Sequence, residues 1–129
     1  MKADIRAYNS KLTKEDKAIA LMLGKEFDAV LKGAESKVWH GHPVWFLDGN
    51  PIVGYHRLKD GMRVLFWSGQ SFTTPGLSKE GSFKAAEVRY TDKASVKVTA
   101  LRKWLKESRM IQWDYKNIVK KKGKLDKVA

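Results

Sequence analysis

The chain of 129 residues carries 26 Lys and Arg against 14 Asp and Glu, a formal charge of +12, and no cysteine. One domain's worth of chain with 43% hydrophobic residues can bury a core, which excludes a disordered polymer; the missing cysteines exclude a disulfide scaffold, a thiolate-ligated metal centre and a thiol nucleophile. The longest unbroken apolar run, Ala18 to Leu23, is far too short for a membrane span or a signal-peptide core, so the expectation is a soluble cytoplasmic protein without a membrane partner.

Residues 1–12 are mixed and polar and read as an irregular lead-in to a single domain spanning residues 1–129. Thr13 offers an N-cap, with Glu15 and Asp16 in the first turn where carboxylates suit the helix dipole. Ile19, Met22, Leu23, Phe27, Val30 and Leu31 then fall on one helical face, with Lys14, Lys17, Lys25 and Lys32 mainly opposite, and Gly33 marks the stop.

From Glu35 to Tyr90 the pattern changes to short alternating segments that hold nine of the 14 aromatics. Val38 to His40 and Val44 to Phe46 read as strand pieces interrupted at Gly41 and Pro43, the proline pointing to an edge, a bulge or a strand start. Asp48-Gly49 is a hairpin turn into Ile52–Leu58, and Lys59-Asp60-Gly61 turns the chain into Met62–Trp67. A loop from Ser68 to Ser82 precedes a last strand from Phe83 to Tyr90. Helical spacing returns over residues 97 to 122, where Leu101, Trp104, Leu105, Ile111, Tyr115, Ile118 and Val119 share one arc; residues 123–129 read as a frayed tail. Helix, antiparallel meander of about five strands, helix or helix pair is an α+β domain with its helices on one sheet face.

The segment Trp39-His40-Gly41-His42-Pro43-Val44-Trp45, the Leu47-Asp48-Gly49-Asn50 hairpin and the Phe66-Trp67 strand together resemble the YdhG-like family. The likeness runs from about Ala34 to Leu105. It implies a curved antiparallel sheet, a small cytoplasmic protein and, from one branch of the family, a frataxin-like iron chaperone role. That role uses clustered carboxylates, whereas the acids here are few, and lysines interleave Glu15-Asp16 and Glu26-x-Asp28.

Candidate site residues follow from four features. His40 and His42 are two apart and could share a strand face as metal ligands, but a complete site needs a third or fourth group, so two ordinary histidines are the plainer reading. Glu26 falls inside the apolar arc of its helix and needs a cation, from Arg63, Lys84 or a histidine, or else serves as a ligand or acid–base group beneath the sheet. Trp39, Trp45, Tyr55 and Trp67 are candidate ligand contacts, since adjacent aromatics such as Phe66-Trp67 must face opposite sides of a sheet.

The fourth feature is the basic end. Residues 97–127 hold 11 basic and three acidic residues. On a continuous helix Arg102, Lys106, Arg109, Lys116 and Lys120 would ring an exposed Trp113 and attract a polyanion such as nucleic acid; a break near Ser108 to Met110 would instead turn Trp113 inward. No serine elbow or phosphate loop occurs. The expectation is a non-enzymatic binding module for an unassigned small ligand or anionic partner. No cofactor is expected, iron entering through the family resemblance alone.

Overall fold

Our computed structural model describes residues 1–128. Three helices, α1 (Ala3–Ser10), α2 (Lys14–Val30) and α3 (Val98–Met110), accompany six strands: β1 (Glu35–Trp39), β2 (His42–Leu47), β3 (Asn50–Leu58), β4 (Gly61–Phe66), β5 (Ser78–Lys79) and β6 (Ala86–Tyr90). The strands form one open antiparallel sheet in the order β1-β2-β3-β4-β6-β5. The α+β architecture is as the sequence implies, with a two-residue edge strand added inside the Ser68–Ser82 loop and the last long strand beginning at Ala86 rather than Phe83.

Local chemistry sets the turns. His40 and Gly41 both have positive φ, as do Asp48 and Gly49, so the first two hairpins close on two-residue turns whose twist matches the strands. Pro43 lies before the first β2–β3 pair, Val44 with Gly54, so its missing N–H costs the ladder nothing. Gly54 allows the backbone approach that follows: a Cβ there would lie 2.6 Å from the Pro43 carbonyl oxygen.

Pairing fixes the two faces. Trp45, Val53, Tyr55, Val64 and Phe66 alternate onto the side where the helices pack, with Trp45 and Tyr55 each 1% exposed. Phe27 of α2 meets both rings, and Leu101, Trp104 and Leu105 of α3 join the same core. The buried polar tips are answered: Tyr55 OH donates to Asn9 Oδ1 at 2.7 Å and Trp45 Nε1 donates to Asp28 Oδ1 at 2.7 Å. The Thr13 hydroxyl accepts the Asp16 N–H and caps α2, whose last turn is followed by the left-handed Gly33.

Both chain ends correct the sequence reading. Residues 1–12 are not irregular: Ile5 and Asn9, one turn apart, are the buried face of α1, and Asp4 accepts the free edge N–H of Val38 in β1 at 2.8 Å. An eight-residue helix offers too few turns for its period to stand out.

At the other end α3 stops at Met110, where Ile111 is already extended, and residues 111–128 cross the end of the sheet with a single 3₁₀ turn at Tyr115–Asn117. Val119, expected on the apolar stripe, is 89% exposed. Residues 123–128 are not frayed. They fold back antiparallel, with Asp114 N–H donating to Asp126 O at 2.7 Å and Val128 N–H to Gln112 O at 2.8 Å.

Candidate functional site

The sheet side away from the helices carries His42, Val44, Gly54, His56, Arg63, Leu65, Glu87 and Arg89, which alternate with the core residues. Onto this side fall aromatic rings in an unbroken series. Phe46 meets Trp39 at 5.3 Å between centroids, Trp39 meets Trp67 at 6.1 Å, Trp67 lies 6.4 Å from His42, and His42 stacks on His56 at 4.7 Å. Strand alternation sends the neighbouring rings of Trp45 and Phe46 to opposite faces, and the register shift beside them leaves Ile52 as the extra residue of β3.

At the Phe46 end the series meets the C-terminal segment. Asn50, only 4% exposed, directs this meeting: its Nδ2 donates to Trp113 O at 2.9 Å and its Oδ1 accepts from Lys116 N–H at 3.1 Å. Ser68 Oγ takes the Trp113 N–H at 2.9 Å, and Tyr115 OH accepts the Lys84 N–H at 3.0 Å. These bonds to the sheet and its loops use the backbone groups that a continuing helix would pair internally, which is why the segment runs across the strands.

Between segment and sheet lies a groove of about 390 Å³ lined by rings and apolar carbons of Trp39, Phe46, Pro51, Tyr115, Ile118 and Val119. That volume suits a small flat molecule. Lys37, Lys116, His40 and Glu35 provide its polar margin. Lys37 Nζ sits 5.0 Å from the Phe46 centroid, held by the ring's negative face, and Lys116 Nζ donates to Asp48 O at 2.7 Å. Burial pushes the Tyr115 phenol up, so the ring stays neutral.

The four aromatic candidates divide between the faces. Trp39 and Trp67 are half-buried on the far side, Trp39 in the groove, whereas Trp45 and Tyr55 are sealed in the core with their polar atoms committed to Asp28 and Asn9. Glu26 is remote from the groove. Its carboxylate accepts Arg102 Nε at 2.8 Å and Nη2 at 2.9 Å, so the partner comes from α3 and not from Arg63, Lys84 or a histidine. The Arg102 guanidinium holds Glu26 below the usual carboxylate range against a smaller opposing effect of burial.

The supposed basic helix face does not form, because α3 ends before its second half. Arg102 is taken by Glu26, and Arg109 donates to the Val30 and Lys32 carbonyls at the end of α2, both at 3.2 Å. Lys106 and Lys120 are exposed on separate elements. Trp113 is turned inward as the broken-helix alternative has it: its Nε1 donates to Ser71 Oγ at 3.0 Å and Lys84 Nζ lies 4.6 Å over its ring.

His40 occupies the hairpin turn and is exposed, while His42 is 8% exposed under His56 and Trp67. The two therefore do not project together from one regular strand. Burial first, and then the His56 and Arg63 charges, push His42 down to about 4, leaving it neutral near pH 7 with an Nδ1 that makes no hydrogen bond of ordinary geometry. Among the described residues no three His, Asp or Glu side chains converge as a metal site. Several carboxylates are instead ion-paired: Asp16 with Arg57, Glu87 and Asp60 with Arg89, and Asp114 with Lys121.

Sequence reasoning missed Asn50, Lys37, Tyr115 and Ile118 as site residues, and named Lys116 only as a cation beside Trp113 on a continuous helix. Tyr115 and Ile118 looked like core stripe, and only the turn of the chain after Met110 reassigns them. No helix among the described residues is long and apolar enough to cross a membrane. No protein-family model matches the chain, nor does any curated protein or solved structure.

Proposed function

We propose that this chain is a non-enzymatic binding module of YdhG-like type whose ligand is a flat, ring-containing small molecule held between Trp39 and Tyr115. The observation that carries this reading is the groove itself. Two separate parts of the chain, the first hairpin and the C-terminal segment, bring three aromatic rings to one cleft of about 390 Å³ on the sheet side away from the helices. Offset or edge-on ring contact suits such a lining, and the Lys37 and Lys116 ammonium groups favour a ligand with some negative charge. Its rings and ammonium groups suit holding a molecule better than transforming one.

Saturation-transfer NMR with adenosine and with indole is the test. Signal transfer to the ring protons is expected with the wild-type chain and is expected to vanish in Trp39→Ala. Absence of transfer for both compounds, or transfer unchanged in Trp39→Ala, would contradict the reading.

A further inference from the structure

The charge of the C-terminal segment is distributed unevenly. Residues 111–128 contain six lysines, at positions 116, 120, 121, 122, 124 and 127, against Asp114 and Asp126. Both carboxylates are taken by one lysine: Lys121 Nζ reaches Asp114 Oδ2 at 3.0 Å and Asp126 Oδ2 at 2.9 Å. Lys120, Lys122, Lys124 and Lys127 are exposed and have no acidic partner among the described residues. Three of them lie in the turn directly after Ile118 and Val119, the residues that wall the groove. Lys122 and Gly123 both have positive φ there, and Gly123 N–H closes the turn on Ile118 O at 2.7 Å. Exposed lysines without an acidic partner thus follow in sequence directly on two residues that line the cleft.

Two requirements follow for the occupant. It must offer flat rings to Trp39, Phe46 and Tyr115, and it must carry several negative charges in sequence to meet lysines spread beyond the cleft. A single small anion meets only the first cations, and a plain polyanion leaves the rings unused. The ring series also continues past the groove through Trp39 to Trp67, His42 and His56, so more than one flat group can find a partner on this face. Stacking rings beside a cationic track are the two components of a single-strand nucleic-acid surface. A duplex hides its bases and could use the lysines alone.

Resting on the groove reading above, we infer that the ligand is single-stranded nucleic acid, with a base seated between Trp39 and Tyr115 and phosphates along Lys120, Lys122 and Lys124. The base supplies the ring contact; the phosphates supply a salt-sensitive attraction. The net charge of +12 adds a long-range pull on the strand.

Fluorescence anisotropy with a labelled oligothymidylate about ten nucleotides long tests this, a length within the site sizes of known single-strand binders. Three neutralised phosphates should give a log–log salt slope of about −2. The triple variant K120Q/K122Q/K124Q, which alters only exposed side chains, should weaken binding about tenfold or more and flatten that slope. Trp39→Ala should weaken it at least about fivefold while leaving the slope unchanged, because stacking is not ionic.

A duplex of the same length should bind more weakly, and a heparin hexasaccharide should ignore the Trp39 change. Equal binding of duplex and single strand, or an oligothymidylate affinity indifferent to Trp39→Ala, would overturn the inference. If adenosine still shows Trp39-dependent transfer while the oligomer does not bind, the groove reading stands and this inference fails. If neither binds, both fail.

Discussion

Asn50 and Trp113 are joined across 63 positions of sequence: the buried Asn50 amide donates to the Trp113 carbonyl at 2.9 Å, and the same side chain accepts the Lys116 N–H at 3.1 Å. One asparagine beside a hairpin turn thus anchors the segment that walls the groove. Asn50→Ala leaves the Lys116 N–H without a partner and the Trp113 carbonyl with only the Tyr115 N–H, at an expected cost of about 1–3 kcal/mol. Urea melts check the stability. Limited trypsin digestion should show faster cleavage in residues 116–127, together with loss of adenosine binding; a segment cleaved no faster than in the wild type would contradict the anchoring role.

Trp113 should behave as a structural residue. It is half-buried, with Nε1 on Ser71 and Lys84 over its ring, so Trp113→Ala should destabilise by about 2–3 kcal/mol, less than for a fully buried ring. Thermal denaturation measures this. A change near zero would mean the ring is solvated.

Glu26 and Arg102 are held by two parallel hydrogen bonds at 2.8 and 2.9 Å, with the glutamate side chain 12% and the arginine 55% exposed. Solvent at the arginine limits the pair, so Glu26→Ala should cost about 1 kcal/mol, the upper range for surface pairs. Arg102→Ala should also destabilise. In a double-mutant cycle the two losses should not add, and strict additivity would show that the pair contributes nothing.

His42 gives a pH dependence with a definite sign. Its neutral form is favoured in the fold, so the unfolded chain binds the proton more readily between its ordinary value near 6.5 and about 4. Stability from this group is complete above pH 6.5 and falls as the pH drops through that window. After discounting for partial solvation, the loss should be about 2 kcal/mol. His56, also lowered chiefly by burial, acts in the same direction. Urea melts at stepped pH should show His42→Phe with a shallower decline than wild type over this range; parallel curves would refute the assignment.

The fold was legible where period and turn chemistry agreed. Thr13, the α2 stripe and the Asp48-Gly49 turn each specify their element locally, and the structure shows all three. The site was legible only in part. Alternation says that Phe66 and Trp67, like Trp45 and Phe46, face opposite sides of the sheet, but not which of each pair meets the helices, and it separates Trp39 from Trp45 no better.

Tyr115 and Ile118 continue the apolar spacing of α3, so a wheel assigns them to the helix. What stops the helix is non-local: Ser68 and Asn50 offer hydrogen bonds to Trp113 and Lys116 from another part of the chain. Tertiary bonds of that kind leave no trace in local sequence. The short α1 was missed for a related reason, since Ile5 and Asn9 acquire meaning only through the sheet they meet.

The cleft between Trp39 and Tyr115 is the proposed ligand site, and the single-strand surface extends from it. An amide-correlation NMR titration with adenosine monophosphate tests it most directly, because it locates even weak binding residue by residue. Saturable shifts are expected, confined to Trp39, His40, Phe46, Tyr115, Lys116 and Ile118, with the Trp39 indole N–H among the largest. Shifts centred instead on the cleft between α2 and α3, around Val30 and Met110, or spread evenly over the exposed lysines, would contradict it.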